Sequence, residues 1–178
     1  MVKKEVPLKL ATRLINHGPL VIVGSKYEGK ESLMTVAWIM PLSKQPPLAG
    51  FMITKKRFSY GLIHGSQEFS INIPDIALLN AAIKVGTVSG RDVKDKFKEA
   101  AITREDAKFI GAPLIKECLA QIECKLIREE ELGDHILMVG EILRACVEEN
   151  VFTDHWLLEN HNTIAHFGGE WFGKTTNL

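Results

Sequence analysis

Lys55-Lys56-Arg57-Phe58-Ser59 sets three cations and a hydroxyl directly after an apolar run and directly before a stretch of helical character. The first N–H groups of a helix lack intrahelical partners and mark the positive end of its dipole, so a phosphate is favoured there. Lys56 and Arg57 would add charge-assisted hydrogen bonds, and Ser59 a hydroxyl donor. A solvated charged turn accounts for the same residues without a ligand. A second group lies in Thr35-Val36-Ala37-Trp38-Ile39-Met40-Pro41-Leu42-Ser43. Thr35 and Ser43 are hydroxyls in apolar surroundings and need partners, while Trp38 offers a flat face to a planar ligand. Backbone carbonyls can satisfy both hydroxyls, and a tryptophan is equally at home in a core. The loop Ser89-Gly90-Arg91-Asp92-Val93-Lys94-Asp95-Lys96 carries cations that could reach a phosphate or simply be solvated. His135, in Gly133-Asp134-His135, belongs to a hairpin and alone signifies little.

Other chemistries lack their signatures. There is no Gly-x-Gly-x-x-Gly or Walker-type loop, and no Gly-x-Ser-x-Gly elbow. Asp154, His155, Glu159, His161 and His166 lack the spacing of His-Glu-x-x-His, so no metal site is expected.

The elements that must carry these residues are mostly strands. Pro19 to Ser25 is a β-branched run closed by a turn at Glu28-Gly29. Ser32 to Met40 reads as a second strand stopped by Pro41, and Leu48 to Ile53 as a third, introduced by Pro46-Pro47. Runs this apolar belong deep in a sheet or barrel. Ser59 to His64 reads as a helix with Ser59 as N-cap and Gly65 as stop. Glu68 to Ile73 is another strand, and Pro74-Asp75 opens a helix with Ile76, Leu79 and Ile83 on one face, ending at Gly86. Ala120, Ile122, Cys124 and Leu126 alternate with polar residues, a half-buried strand. Arg128 to Asp134 is then a charged loop and Ile136 to Val147 the returning strand. The sum is a mainly β barrel with α inserts.

The chain's 178 residues suit one domain spanning 1–178, and 46% hydrophobic with 25% charged residues is an ordinary globular balance. Twenty-two basic and twenty-two acidic residues cancel, so no global field draws it to nucleic acid or anionic lipid. No apolar run approaches a membrane span, and the N-terminal residues lack the apolar core of a signal peptide. Cys118, Cys124 and Cys146 are odd in number, without Cys-x-x-Cys spacing, which favours reduced thiols and a cytoplasmic protein.

In order and spacing, these blocks resemble the flavin reductase-like family of FMN-binding split barrels, nearest its flavoredoxin-like branch. The resemblance is carried by Leu33 to Trp38, Ser43 with Pro46-Pro47, Lys56 to Ile63 and Glu68 to Pro74. It resumes at Gly86 to Asp92, at Gly133 to His135 and at Val139-Gly140-Glu141. It spans about residues 19–147, and nothing is carried over to the tail at 148–178. It implies a split barrel, a homodimer, and FMN near the subunit interface. On that resemblance Thr35, Ala37 and Trp38 line the isoalloxazine, Ser43 bonds a polar edge, and Lys56, Arg57 and Ser59 hold the phosphate. Asn72 and Ser89, Lys94 and Lys96 of the following loop lie close by, and His135 lies near a nicotinamide pocket. The implied activity is that of an NAD(P)H-dependent flavin reductase, with NADH or NADPH as transient partner. A flavoredoxin-type carrier passing electrons to a protein partner, and a flavin-free dimeric binding module, stand as alternatives.

Overall fold

In the computed structural model, which describes residues 4–159 and 161–176, two strands at opposite edges of one sheet are joined by only two residues. The chain begins with a short helix α1 (Leu8–Ala11), followed by strands β1 (Val21–Tyr27), β2 (Lys30–Val36), β3 (Ile39–Lys44) and β4 (Pro47–Ile53). Helix α2 (Phe58–Ser66), strand β5 (Glu68–Ile73) and helices α3 (Leu79–Thr87) and α4 (Lys96–Ala100) come next. Two short strands, β6 (Arg104–Glu105) and β7 (Leu114–Ile115), precede the long pair β8 (Ala120–Leu132) and β9 (His135–Val147). A last hairpin is formed by β10 (Ile164–Gly168) and β11 (Trp171–Lys174).

Seven strands pair antiparallel in the order β2-β1-β5-β8-β9-β4-β3. Laid flat, the outermost strands of such a sheet would stand about 29 Å apart. The connection from Val36 to Ile39 spans at most about 11 Å. The sheet therefore rolls into a barrel whose edges meet at Ala37-Trp38. β2 and β3 do not pair with each other, so the barrel stays open along that seam.

Rolling the sheet buries both faces of β1. Val21 and Val23 enter the barrel core with Phe51, Phe69, Cys124, Ile136 and Met138. Ile22, with Leu33 of β2, faces outward into a second core made with Ala82, Val85, Phe97 and Ile115. This explains why β1 is apolar without alternation. The tail closes the second core: Ile164 is fully buried, and Leu20 donates its N–H to the Ile164 carbonyl at 2.9 Å. All three cysteines are unpaired, two of them buried. No described helix is long and apolar enough to cross a membrane.

Several local expectations change. The run from Ser32 to Met40 is not one strand: it breaks at Ala37-Trp38 and resumes through Pro41 to Lys44. Pro41 does not stop β3, because on an edge strand its missing N–H has no partner to lose, and a bulge follows between Pro41 and Ser43. Arg57, not Ser59, occupies the N-cap of α2, and the helix runs past Gly65 to Ser66, with Gln67 left-handed at φ 59°. Asp75 does open the next helical segment, accepting from the Ala77 N–H at 2.8 Å, but Ala82 and Val85 form the buried face while Ile83 is exposed. Arg128 to Leu132 is strand rather than loop, and only Gly133-Asp134 turns the chain.

Gly140 lies on β9 where a Cβ would collide with the Phe69 ring and approach the Cys124 Cβ at 3.0 Å. Gly140→Ala should therefore cost about 1–3 kcal/mol through overpacking of the barrel core. Denaturant titration would read this as a lowered midpoint; an unchanged midpoint would mean the core accommodates a methyl freely.

Candidate functional site

The end of β4 and the start of α2 build one wall of the site. Arg57 donates its N–H to the Thr54 carbonyl at 3.0 Å, which tightens the link and turns it into the helix. The N-cap, Arg57, is extended and makes no side-chain cap bond, and the first turn of α2 holds no acidic residue. The positive end of this nine-residue helix is thus left for something else to satisfy. It opens on a cavity of about 370 Å³ lined by Lys56, Arg57, Ser59, Ser89, Arg91 and Lys96 among others, with no carboxylate in the lining.

The opposite wall comes from α3, α4 and the loop between them. Arg91 donates to the Lys56 carbonyl at 3.0 Å, and its guanidinium stands 5.8 Å above the centre of the Phe58 ring. Gly90 is required for this approach: a Cβ there would strike Phe58 and lie 2.7 Å from the Ser32 hydroxyl. Lys96, first residue of α4, is only 8% exposed and donates to the carbonyls of Leu33 at 2.7 Å and Val85 at 2.9 Å. Burial, and then the positive charge of Arg57, lower its pKa to about 8.

A second cavity, of about 210 Å³, shares Met34, Thr54 and Arg57 with the first. Its other lining includes Thr35, Ala37, Trp38, Met52 and His135. Trp38, at the seam, lies with its ring centre 5.0 Å from that of His135. The Thr35 hydroxyl donates to the Ala82 carbonyl at 2.5 Å and is backed by Gly86 of α3. The arm formed by the outer ends of β8 and β9 delivers His135. Glu129 fastens this arm to α2, accepting from the Tyr60 hydroxyl at 3.0 Å and pairing with His64 at 2.8 Å. Lys55 is drawn off by Glu131 at 2.8 Å, which leaves Lys56 and Arg57 as the cations of the run that line the cavity.

Of the residues singled out in the sequence, Lys56, Arg57, Ser59, Ser89 and Lys96 share the cationic cavity, and Thr35, Ala37, Trp38 and His135 share the adjoining one. Three fall outside both. Ser43 accepts the Gln45 N–H at 3.2 Å in the β3–β4 hairpin. Lys94 is exposed on the loop and lines neither cavity. Asn72 is fully buried, and its amide is consumed by the Ile22 carbonyl, the Ser70 hydroxyl and the Ile115 N–H. It ties β5 to β1 and β7, and its full burial leaves no exposed atom for a ligand. Thr54 is a lining residue that the sequence did not single out, and Arg91 is legible there only as one cation of a loop that could reach a phosphate. The glycine preceding Arg91 was the available signal, since it lets the loop close on Phe58.

Together the cavities form one groove, cationic at the α2 end, bordered at the barrel seam by Thr35, Ala37, Trp38, Met52 and His135, and joined at Arg57. The donor set suits a phosphate monoester, and the seam suits a planar ring. The flavin reductase like domain matches residues 14–167. The chain belongs to the flavin reductase-like family. That match extends beyond residue 147 into the β10–β11 hairpin, consistent with the role of Ile164 in the second core. The YddH protein of Escherichia coli is 34% identical over 176 residues, covering 94% of this chain and 93% of its own. Among solved structures, the FMN-binding domain of a flavin reductases-like enzyme from Shewanella baltica matches with a TM-score of 0.83 at 26% identity, covering 100% of this chain and 98% of that one. Flavoredoxin of Desulfovibrio vulgaris also gives a TM-score of 0.83 at 26% identity, covering 100% and 95%. The fold is thus the split barrel of the flavin reductase-like proteins.

Proposed function

We propose that this flavin reductase-like chain binds FMN along the groove and acts as an NAD(P)H-dependent flavin oxidoreductase. The observation that carries the proposal is the carboxylate-free cavity with Lys56, Arg57, Arg91 and Lys96 at the open start of α2, continuous with the Thr35–Trp38 seam. Lys56, Arg57, Ser59, Ser89 and Lys96 would hold the phosphate. Thr35, Ala37 and Trp38 would border the ring, and His135 would border the approach of NADH or NADPH. Bound FMN supplies the hydride and electron chemistry, so the protein's task is binding, orientation and exclusion of water. No side chain is assigned as acid or base. Cytoplasmic placement, with its thiols reduced, belongs to the same proposal.

A homodimer also forms part of this reading. Trp38, Met40 and Leu42 are exposed apolar residues beside the site, and an apolar groove of about 260 Å³ runs along Ile39, Met40, Pro41, Leu48 and Ile142. A second copy would cover this surface; sedimentation of a monomer at micromolar concentration would contradict it.

The likeness to a flavoredoxin favours one second reading, an electron carrier serving a protein partner. Anaerobic mixing of the yellow protein with NADH or NADPH separates the two. Rapid loss of flavin absorbance supports the reductase, and no loss supports the carrier. A colourless preparation that takes up no FMN would remove both and leave a flavin-free binding module.

A further inference from the structure

Lys96 is the only buried cation among the described residues. The other buried charge, Glu123, is neutralised by Arg144 at 2.9 Å, whereas Lys96 has no carboxylate beside it. Two of its three ammonium donors hold backbone carbonyls, one on β2 and one on α3. Its charged neighbours in the cavity are Lys56 and Arg57, from the link between β4 and α2, and Arg91, from the loop after α3. β2 and α3 offer it only carbonyl groups. Glu31 of β2 is engaged by Arg104 at 3.0 Å, and Glu99 of α4 by Lys84 of α3 at 3.5 Å. Cys118 lies in the apolar cluster behind it. A buried ammonium without a counter-charge is costly, and cations around it increase that cost.

We infer that the phosphoryl group of the ligand is the counter-ion of Lys96, so that anion binding and protonation of this lysine are one coupled step. The inference rests on the reading of the groove as an FMN site. It deepens that reading by making the pH dependence of phosphate binding the property of one buried residue. Lys56, Arg57 and Arg91 are exposed, so water and salt weaken their pull on an anion. Lys96 is shielded from both. Its depressed pKa, about 8 against an ordinary 10.5, agrees with a charge awaiting a partner. The sign follows from the two states. Without an anion the unfolded chain holds this proton more firmly than the folded one, so the fold gains stability as pH rises from about 8 to 10.5. A bound phosphate raises the folded pKa and flattens that gain. Conversely, a neutral Lys96 binds phosphate poorly, so binding above pH 8 takes up a proton.

The test is the pH dependence of FMN and riboflavin binding, read by flavin fluorescence between pH 7 and 9.5. The FMN dissociation constant should rise toward about tenfold per pH unit above pH 8, while that of riboflavin stays flat. Lys96→Met should flatten the FMN curve and narrow, without abolishing, the preference for FMN over riboflavin, because Lys56, Arg57 and Ser59 remain. Lys96→Arg, charged throughout, should keep the preference for FMN and lose the pH dependence. A flat wild-type curve, or a wild-type slope in either variant, overturns the inference. If neither flavin binds, the FMN reading falls, and titration with inorganic phosphate in weakly buffered solution at pH 9 decides Lys96 separately. Uptake of close to one proton per phosphate by the wild type and none by Lys96→Met sustains the inference. No binding, or binding without uptake, overturns it.

Discussion

Replacing Arg57 and Ser59 together by alanine should weaken FMN binding by on the order of a hundredfold or more. Arg57 joins the two halves of the groove, lining both cavities, and Ser59 is 4% exposed at the open start of α2. Hydrogen bonds to a charged group contribute about 1.5–3 kcal/mol each, and two residues serving one phosphate do not add fully. The guanidinium stem is exposed and the hydroxyl makes no hydrogen bond to another described residue, so the fold should not suffer with the site. The comparison with riboflavin makes the result specific. Riboflavin affinity should change little, because it has no phosphate to lose. Equal loss for both flavins would place these residues against the ring instead, and unchanged FMN affinity would remove them from the site.

Glu123→Ala should destabilise the fold by about 3–5 kcal/mol while leaving the cationic cavity intact. Glu123 is fully buried on β8. Its carboxylate accepts the N–H of Phe109 at 2.6 Å, the N–H of Lys108 at 3.1 Å and the guanidinium of Arg144 at 2.9 Å. It thereby fastens the segment before β7 to the barrel. Burial pushes its pKa up, but the Phe109 and Lys108 N–H groups and Arg144 outweigh that and hold it below the usual carboxylate range. Its stabilising effect is therefore present above the ordinary carboxylate pKa and is lost as pH falls through the folded value. Removing the carboxylate strands a cation and two amide donors. Adding Arg144→Met to Glu123→Leu should restore only part of the loss, since the two amides remain unpaired. Chemical denaturation at neutral pH reads both variants, and a loss below about 1 kcal/mol would show that water replaces the carboxylate.

Glu123 also marks where the sequence ceases to be readable. The alternation of Ala120, Ile122, Cys124 and Leu126 against polar neighbours predicts a solvent-facing Glu123. Glu123 does stand on the face opposite Cys124, in regular register with β5, but the segment carrying Lys108 and Phe109 covers that face and buries it. That cover comes from a segment well outside β8, so no pattern within the strand reports it. The barrel itself was legible from apolar runs and turn residues, because hydrophobic periodicity is local. The cationic end of the groove was legible for the same reason: Lys56, Arg57 and Ser59 are contiguous and abut a helix start. His135 was placed by resemblance alone, and Lys96 was legible from the residues only as one cation of a loop that could reach a phosphate, since both reach the groove through long-range packing. Asn72 went astray because a polar residue in an apolar strand looks the same from sequence whether it serves a ligand or three backbone and side-chain neighbours.

The open seam leaves the barrel with two bare backbone edges, and these are the places where a β protein can recruit a stranger. An unpaired strand is a template for intermolecular pairing unless something spoils it. β2 is shielded by α3 and α4, which pack against it. β3 has instead a proline lacking a donor at Pro41, a bulge just beyond it, and a lysine at its end. Each interrupts the regular ladder that a fibril requires. Pro41, which as a strand breaker should have ended β3, guards it from runaway growth by sheet extension.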